Sequence, residues 1–305
     1  MASRHFQGTA FAGTPQTEKR CHQCGDTTMS RSQNIRAAFV FVSPAAAVAL
    51  AISGLPLIYI FYTSLDGPNF SLTFFGEVLS SRLFSQTLST TLKISFYSST
   101  LSLLIGYIVA LHLARQSPSR RTLLLTLVLL PFWTSVLVKC FAFTVILGRT
   151  GIINSLLSYA TGTQVAIPLV LNRVGVMVGM TNYLAPFVVF PILASLLAID
   201  SSVYRAAQIM GARPARIFWT VTLPLSMPGV FAAASSAFVM ALSFFIIPAL
   251  LGGPKDAMLS NLVDFYTRET LDWNMASAVG VLLLGMVLIV AVPFLVWKQR
   301  ASRVG

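Results

Sequence analysis

The sequence predicts an all-α membrane protein built as a bundle of six transmembrane helices. Two observations are compositional: 55% of the 305 residues are hydrophobic and only 10% are charged, and the mean hydropathy is +0.77. The third is pattern. Apolar runs near 37–62, 92–114, 122–147, 174–198, 228–251 and 276–297 each reach the roughly 20 residues that cross a bilayer core. Lipid offers the backbone no hydrogen-bond partner, so these runs must be helices.

Ahead of the first run, residues 1–36 are polar, rich in Thr, Gln, Ser and Gly, and lack apolar periodicity. They read as a disordered tail. No apolar segment precedes a cleavage site there, so the tail is not a signal peptide. Met29, just before the first run, is a second candidate start. Cys21-His22-Gln23-Cys24 and His5 lack the second ligand pair that a closed zinc site needs, so no metal or other cofactor is expected.

The first span, 37–62, contains Pro44 and Pro56, and the second, 92–114, ends near His112, an interfacial residue. The third, 122–147, carries Pro131, Lys139 and Cys140. Lys139 lies about 17 residues into that run, roughly 26 Å along a helix, and is expected to snorkel to the outer surface. Cys140 reads as a buried apolar filler. Gly151–Tyr159 is amphipathic and is expected outside the membrane, either lying flat or folding back as a turn that covers the bundle. The fourth span contains Pro186 and Pro191, the fifth Pro248 and the sixth Pro293; a packed bundle tolerates such prolines and kinks at them. The connections are too short for a soluble domain. The chain is therefore a tail, one membrane domain over 37–298, and a terminal 299–305.

Charge sets the orientation. With the N-terminus inside, Arg4, Lys19, Arg20, Arg31, Arg36, Arg115, Arg120, Arg121, Arg205, Arg213, Arg216, Lys298, Arg300 and Arg303 share the inner side with only Glu18, Asp26 and Asp200. The outer segments hold Arg82, Lys93, Arg149, Arg173, Lys255 and Arg268, matched by Asp66, Glu77, Asp256, Asp264, Glu269 and Asp272. This is the positive-inside asymmetry. It puts both termini and the 200–224 segment in the cytoplasm, and the net charge of +12 needs no nucleic acid to explain it.

The chemistry is equally bounded. No Gly-Lys dipeptide occurs, so there is no phosphate-cradling loop and no ATP hydrolysis by this chain. No Asp or Glu falls within the six runs, whereas ion-driven transporters carry such groups in their spans. No cluster of catalytic polar residues stands out. A self-sufficient secondary transporter or channel, the rival reading, would want an intramembrane carboxylate or an inverted repeat.

The most informative segment is 200–224, between the fourth and fifth spans. Val203, Ala206, Ala207 and Met210 recur at helical spacing, with Asp200 as N-cap. Gly211 stands where a helix end wants positive φ, and Pro214 opens a second short helix. The small residues Ala206 and Ala207 would let a partner approach closely. Ala206-Ala207, three residues, Gly211, nine residues, Val221, one residue, Leu223-Pro224 resembles the cytoplasmic EAA loop of ABC-importer permeases. Arg205 stands where that family commonly has Glu, and Val221 where it has Ile.

A second resemblance narrows the subfamily. Pro131-Phe132-Trp133-Thr134-Ser135 through Lys139, Ile146 to Asn154, Asn172 to Met180, and Leu250-Leu251-Gly252-Gly253-Pro254 look like spermidine/putrescine-type permeases, over roughly 35–300. The stretch Lys139-Cys140-Phe141-Ala142-Phe143 departs from the usual Arg-Thr-Tyr-Ala-Trp. Opine and aminoalkylphosphonate systems share the subfamily, so resemblance leaves the solute open between polyamine-like and opine- or amino-acid-like. It implies a type I importer permease bundle whose coupling helix docks an ATPase through Arg205, Ala206, Ala207, Met210, Gly211, Leu223 and Pro224. It also implies two ATP-binding subunits, a second permease subunit and a periplasmic solute-binding protein. Trp133, Thr134, Asn182, Tyr183 and Ser243 are the polar or aromatic candidates for the substrate path, with helix–helix bonding or interfacial anchoring as the plainer alternatives.

Overall fold

The computed structural model describes the backbone of residues 23–67, 70–163 and 167–304, and side chains between residues 43 and 293 within those limits. All regular structure among the described residues is helical. Six segments among the described residues are long and apolar enough to cross a membrane: Ser43–Ser64, Arg82–Ala114, Val136–Thr161, Arg173–Leu197, Pro214–Leu242 and Trp273–Pro293. The chain divides into two compact units, one ending at Tyr59 and the other starting at Ile60.

In the first unit, helix α1 (Gln23–Ser64) starts far upstream of residue 37. The helix thus includes residues 23–36 of the polar tail. No Gly or Pro lies between residues 26 and 43, and once a helix is nucleated each further residue adds one hydrogen bond. His5, Cys21 and His22 lie outside the described residues, as do the side chains of Cys24 and Met29.

The second unit contains α2 (Thr73–Ser80), α3 (Arg82–Ala114), α4 (Pro118–Trp133), α5 (Val136–Leu147), α6 (Ile152–Thr161) and α7 (Arg173–Leu197). After them come α8 (Ser201–Ile209), α9 (Pro214–Ile217), α10 (Leu223–Leu242), α11 (Ile246–Leu251), α12 (Leu259–Arg268) and α13 (Trp273–Val304). Its main core is the packing of α3, α7 and α10, with Ile94, Met180, Leu184, Val188, Ile192, Ala233, Ala237 and Ala241 buried. Small residues set the spacing, as is usual where lipid supplies no hydrophobic drive between helices. A Cβ on Gly106 would lie 2.6 Å from Val188 Cγ1, and one on Gly229 would lie 2.4 Å from Ser195 Cβ. A smaller core joins α2, α12 and α13 around Val78, Leu259, Leu262, Ala278 and Val279.

Two expected continuous spans are broken. The third, 122–147, is interrupted at Thr134 and Ser135, both extended, and the apolar stretch that qualifies as a span runs from Val136 to Thr161. Pro131 withdraws an N–H from the last turn of α4, and Thr134 Oγ1 donates to Pro131 O at 2.7 Å. The fifth span starts earlier than 228, at Pro214, and stops at Leu242, before α11. In an unbroken helix the ring of Pro248 would meet the Phe244 carbonyl. The freed Phe244 carbonyl finds a partner on α12, accepting from Ser260 Oγ at 2.5 Å, and Asn261 Nδ2 adds a second bond to Phe245 O at 3.2 Å, which already accepts from Ala249 N.

Candidate functional site

The segment 200–224 folds as its spacing predicts. Asp200 Oδ1 accepts from Ser202 N at 2.8 Å, and this amide holds the exposed carboxyl below its ordinary value, with the Ser202 side chain adding to the effect. Gly211 has φ +74°. Its N–H donates to Gln208 O at 2.9 Å, and Ala212 N donates to Ala207 O at 3.1 Å, closing α8. Pro214 is the first residue of α9.

A π-helical turn, Phe218–Thr222, then leads into α10, with Leu223 N donating five residues back to Phe218 O. Pro224 is the cause. Lacking an N–H, it cannot bond the Thr220 carbonyl, and its ring forces the preceding turn wider. Leu223-Pro224 is thus a geometric device at the root of the fifth span. Tyr107 ties this turn to the core: its ring meets Phe218 edge-on at 6.1 Å, and its hydroxyl lies 3.1 Å from Ser226 Oγ. Arg121 closes the neighbouring α3–α4 corner by donating to the carbonyls of Leu113, Ala114 and Gln116 at 3.0–3.2 Å.

The expected single docking face is divided. Ala207, 6% exposed, turns into the protein's own body, while Val203, Arg205 and Ala206 face outward. Met210, 80% exposed, has left the helix as its C-cap, so it does not continue the Val203–Ala207 face. Ile209 is equally bare and was missed, because counting the helix through to Gly211 placed it off the apolar stripe. Leu223 is half-buried and Pro224 exposed. Behind α8 lies an open cleft of about 530 Å³ between the loop and the ends of α3 and α7, lined by Arg115, Leu196, Tyr204, Gln208 and Phe218 among others.

Of the path candidates, the structure brings Asn182 and Tyr183 together beside Lys139 in a small crevice with Val136, Cys140 and Ile247. Tyr183 packs on Phe244 at 4.5 Å and on Phe187 at 5.8 Å, and Phe187 meets Phe132 at 5.6 Å. Ser243 and Trp133 are chain neighbours of these rings, but Trp133 is 84% exposed and Ser243 caps α10 against its own carbonyls at 3.3–3.4 Å. Thr134 is spent on Pro131. Lys139, expected to snorkel outward, has its ammonium nitrogen 5.4 Å from the Tyr183 ring centroid. The break at Thr134–Ser135 starts α5 afresh against α7 and gives it that aromatic partner. Cys140 is buried, as expected.

The other end of the bundle is stitched by polar side chains. Arg173 pairs with the buried Asp256 at 3.1 Å, and Thr91 Oγ1 accepts from Leu259 N at 2.9 Å. Asn154, 1% exposed, donates to the carbonyls of Gly148 and Ile167 and accepts from Ile167 N, at 2.9–3.1 Å. It fixes α6, which includes most of the Gly151–Tyr159 stretch and leaves Ile152, Leu156 and Tyr159 exposed.

Comparison with known proteins agrees with this anatomy. Residues 102–299 match the family described as binding-protein-dependent transport system inner membrane component. The spermidine/putrescine transport system permease protein PotB of Haemophilus influenzae is 31% identical over 221 residues, 72% of this chain and 76% of the relative. A putative 2-aminoethylphosphonate transport system permease protein, PhnU of Salmonella typhi, is 28% identical over 257 residues, 82% of this chain and 86% of the relative. Among solved structures, a bacterial ABC transporter that imports the polysaccharide alginate superposes with a TM-score of 0.76. It covers 90% of this chain and 99% of its own, at 18% identity. The MetNI methionine ABC transporter, in an inward-facing conformation, gives 0.54 over 72% of this chain and 95% of its own, also at 18% identity.

Proposed function

The chain belongs to the binding-protein-dependent transport system inner membrane component family, and from that premise we propose its part in the importer. It is a permease subunit that moves a small nitrogenous solute, polyamine-like or opine- and amino-acid-like, across the inner membrane, driven by ATP hydrolysis on a partner. The observation that carries this is the 200–224 loop: a capped helix that leaves Arg205, Ala206, Ile209 and Met210 exposed and buries Ala207. A rigid partner moving against such a helix tilts the spans behind it.

The rest of the assembly follows. Basic residues crowd the loop side, which puts both termini and the loop in the cytoplasm. Two ATP-binding subunits dock there, a second permease completes the path, and a periplasmic binding protein delivers solute to the opposite face. Asn182 and Tyr183 line the path, with Trp133, Thr134 and Ser243 beside them. Support for the solute class comes from the 31% identical spermidine/putrescine relative. Affinity purification from the native membrane, with mass spectrometry of companions, tests the reading. An ATP-binding subunit and a second permease should come with the chain. Recovery of the chain alone, in detergent that keeps known complexes whole, would instead favour a secondary transporter.

A further inference from the structure

Helix α3 is longer than a membrane is thick. Its 33 residues extend about 50 Å at 1.5 Å per residue, against a hydrocarbon core of about 30 Å. Counted back from Ala114, the core is used up near Ile94, so Lys93 and the turns before it stand at the boundary opposite the 200–224 loop. There they meet the loop after α11. Ser85, Gln86, Ser89, Thr90 and Lys93 from α3, with Pro254 and Lys255 from the loop, line an open groove of about 540 Å³.

The chemistry of this groove is one-sided. Two ammonium groups, an amide and four hydroxyls, those of Ser85, Thr87, Ser89 and Thr90, line it, and no carboxylate does. The neighbouring acid, Asp256, follows Lys255 in the chain but is buried and already paired with Arg173 at 3.1 Å. None of the six spans contains Asp or Glu. Deeper in, the Tyr183 ring that could receive a solute's ammonium already faces that of Lys139. A bare polycation would meet like charge at the mouth and no counter-charge within the spans of this subunit.

We propose that the Lys93–Lys255 groove is an anion-accepting vestibule, and that the solute carries a carboxylate or phosphonate beside its amine. This rests on the importer reading above and narrows its solute class. Lysine ammoniums hold the anionic group as point charges, and Ser89, Thr90 and Gln86 supply hydrogen bonds to its oxygens.

The test uses a strain lacking this chain, complemented with wild type or variants. It is given radiolabelled 2-aminoethylphosphonate, octopine, spermidine and putrescine in turn. At least one anion-bearing probe should be taken up. Lys93→Gln with Lys255→Gln should cut that uptake about tenfold, the scale set by removing two unit charges at close range, chiefly through KM. Lys93→Arg with Lys255→Arg should retain it, and Arg268→Gln, an exposed charge elsewhere on the same side, should leave the probe ratio unchanged. Uptake of spermidine or putrescine alone, or uptake indifferent to the Gln pair, overturns the proposal. So does an equal loss for all probes with weakened binding-protein-stimulated ATP turnover, which would assign the lysines to docking. An effect that tracks phosphatidylglycerol content in reconstituted vesicles overturns it as well. If no probe enters but the ATP-binding subunit still co-purifies, the vestibule fails and the importer stands; if the subunit is absent, the importer reading itself fails.

Discussion

Replacing Gly211 isolates one physical cause. The residue sits at φ +74°, and a Cβ built on it meets nothing within 4 Å. A side chain there is therefore penalised by backbone conformation alone and not by collision. For an L-residue the left-handed region costs roughly 1–2 kcal/mol, more when the side chain is β-branched. Gly211→Val should therefore cost about 2 kcal/mol and reduce the closed-loop population about 30-fold relative to an opened one. The closed form is the one in which the Gly211 and Ala212 amides bond Gln208 O and Ala207 O. Gly211→Ala should cost about half as much, and Gly211→Asn, whose side chain tolerates this region, least of all. The assay is solute uptake in complemented cells, with recovery of the ATP-binding subunit measured alongside. Uptake should fall in the order Gly, Asn, Ala, Val. Wild-type uptake by the Val variant would refute the reasoning. Equal loss in Asn and Val would show that steric contact with a partner, and not φ, governs the site.

Ala206→Glu and Ala207→Glu, adjacent in sequence, should fail differently. The exposed Ala206 variant should keep the wild-type melting temperature while losing the ATP-binding subunit. The buried Ala207 variant should melt lower, by the several kcal/mol of an unpaired buried charge, as read by thermal unfolding in detergent; identical behaviour of the two would refute the divided face. Gly229→Ala should separate α7 from α10, since its Cβ would lie 2.4 Å from Ser195 Cβ and 2.6 Å from Pro191 O. A cost of about 1–3 kcal/mol is expected, and an unchanged melting temperature would contradict the close approach. The Asp200 cap should be pH-dependent in one direction only. Its carboxyl is held below the ordinary 3.8, so its contribution is complete above that pH and lost as pH falls beneath it. Helix signal from the loop should therefore drop in acid for wild type but not for Asp200→Asn.

Much of this was legible in local chemistry. Asp200, Gly211 and Pro214 each announce a backbone requirement that does not depend on what lies across the bundle, and each is met. Failures arose where a proline's effect depends on distant partners. Pro186 and Pro191 are absorbed inside α7, but Pro131 and Pro248 lie at breaks. At Pro248 the freed Phe244 carbonyl is taken by Ser260, which hydropathy gives no reason to connect with it. The aromatic partner of Lys139 was hidden for the same cause, because it exists only once α5 restarts. Ala207 turned inward although it was grouped with the exposed Ala206, because a helical wheel fixes angles between residues but not the direction in which the body lies.

Under the importer reading, the arrangement of contacts also decides where motion can be taken up. A load on α8 passes along the chain through α9 and the π turn to α10. Tyr107 there joins Phe218 to Ser226, and Ser195 donates to Ser226 O at 3.4 Å. Within two turns, α3, α7 and α10 are all engaged, and Gly229 leaves no slack between α7 and α10. These helices must therefore move largely as one body. Space for that movement exists at the loop end, where about 530 Å³ lies open behind α8. At the opposite end, Arg173–Asp256 and Thr91–Leu259 fasten α3 and α7 to the segments after α11. A body held at one end and free at the other pivots. The hinge it needs is already cut at residues 134–135 and 243–245, where the chain leaves the helix beside the Tyr183–Phe244 pair. Rotation at those points breaks no helical hydrogen bond, whereas bending α7, continuous from Arg173 to Leu197, would.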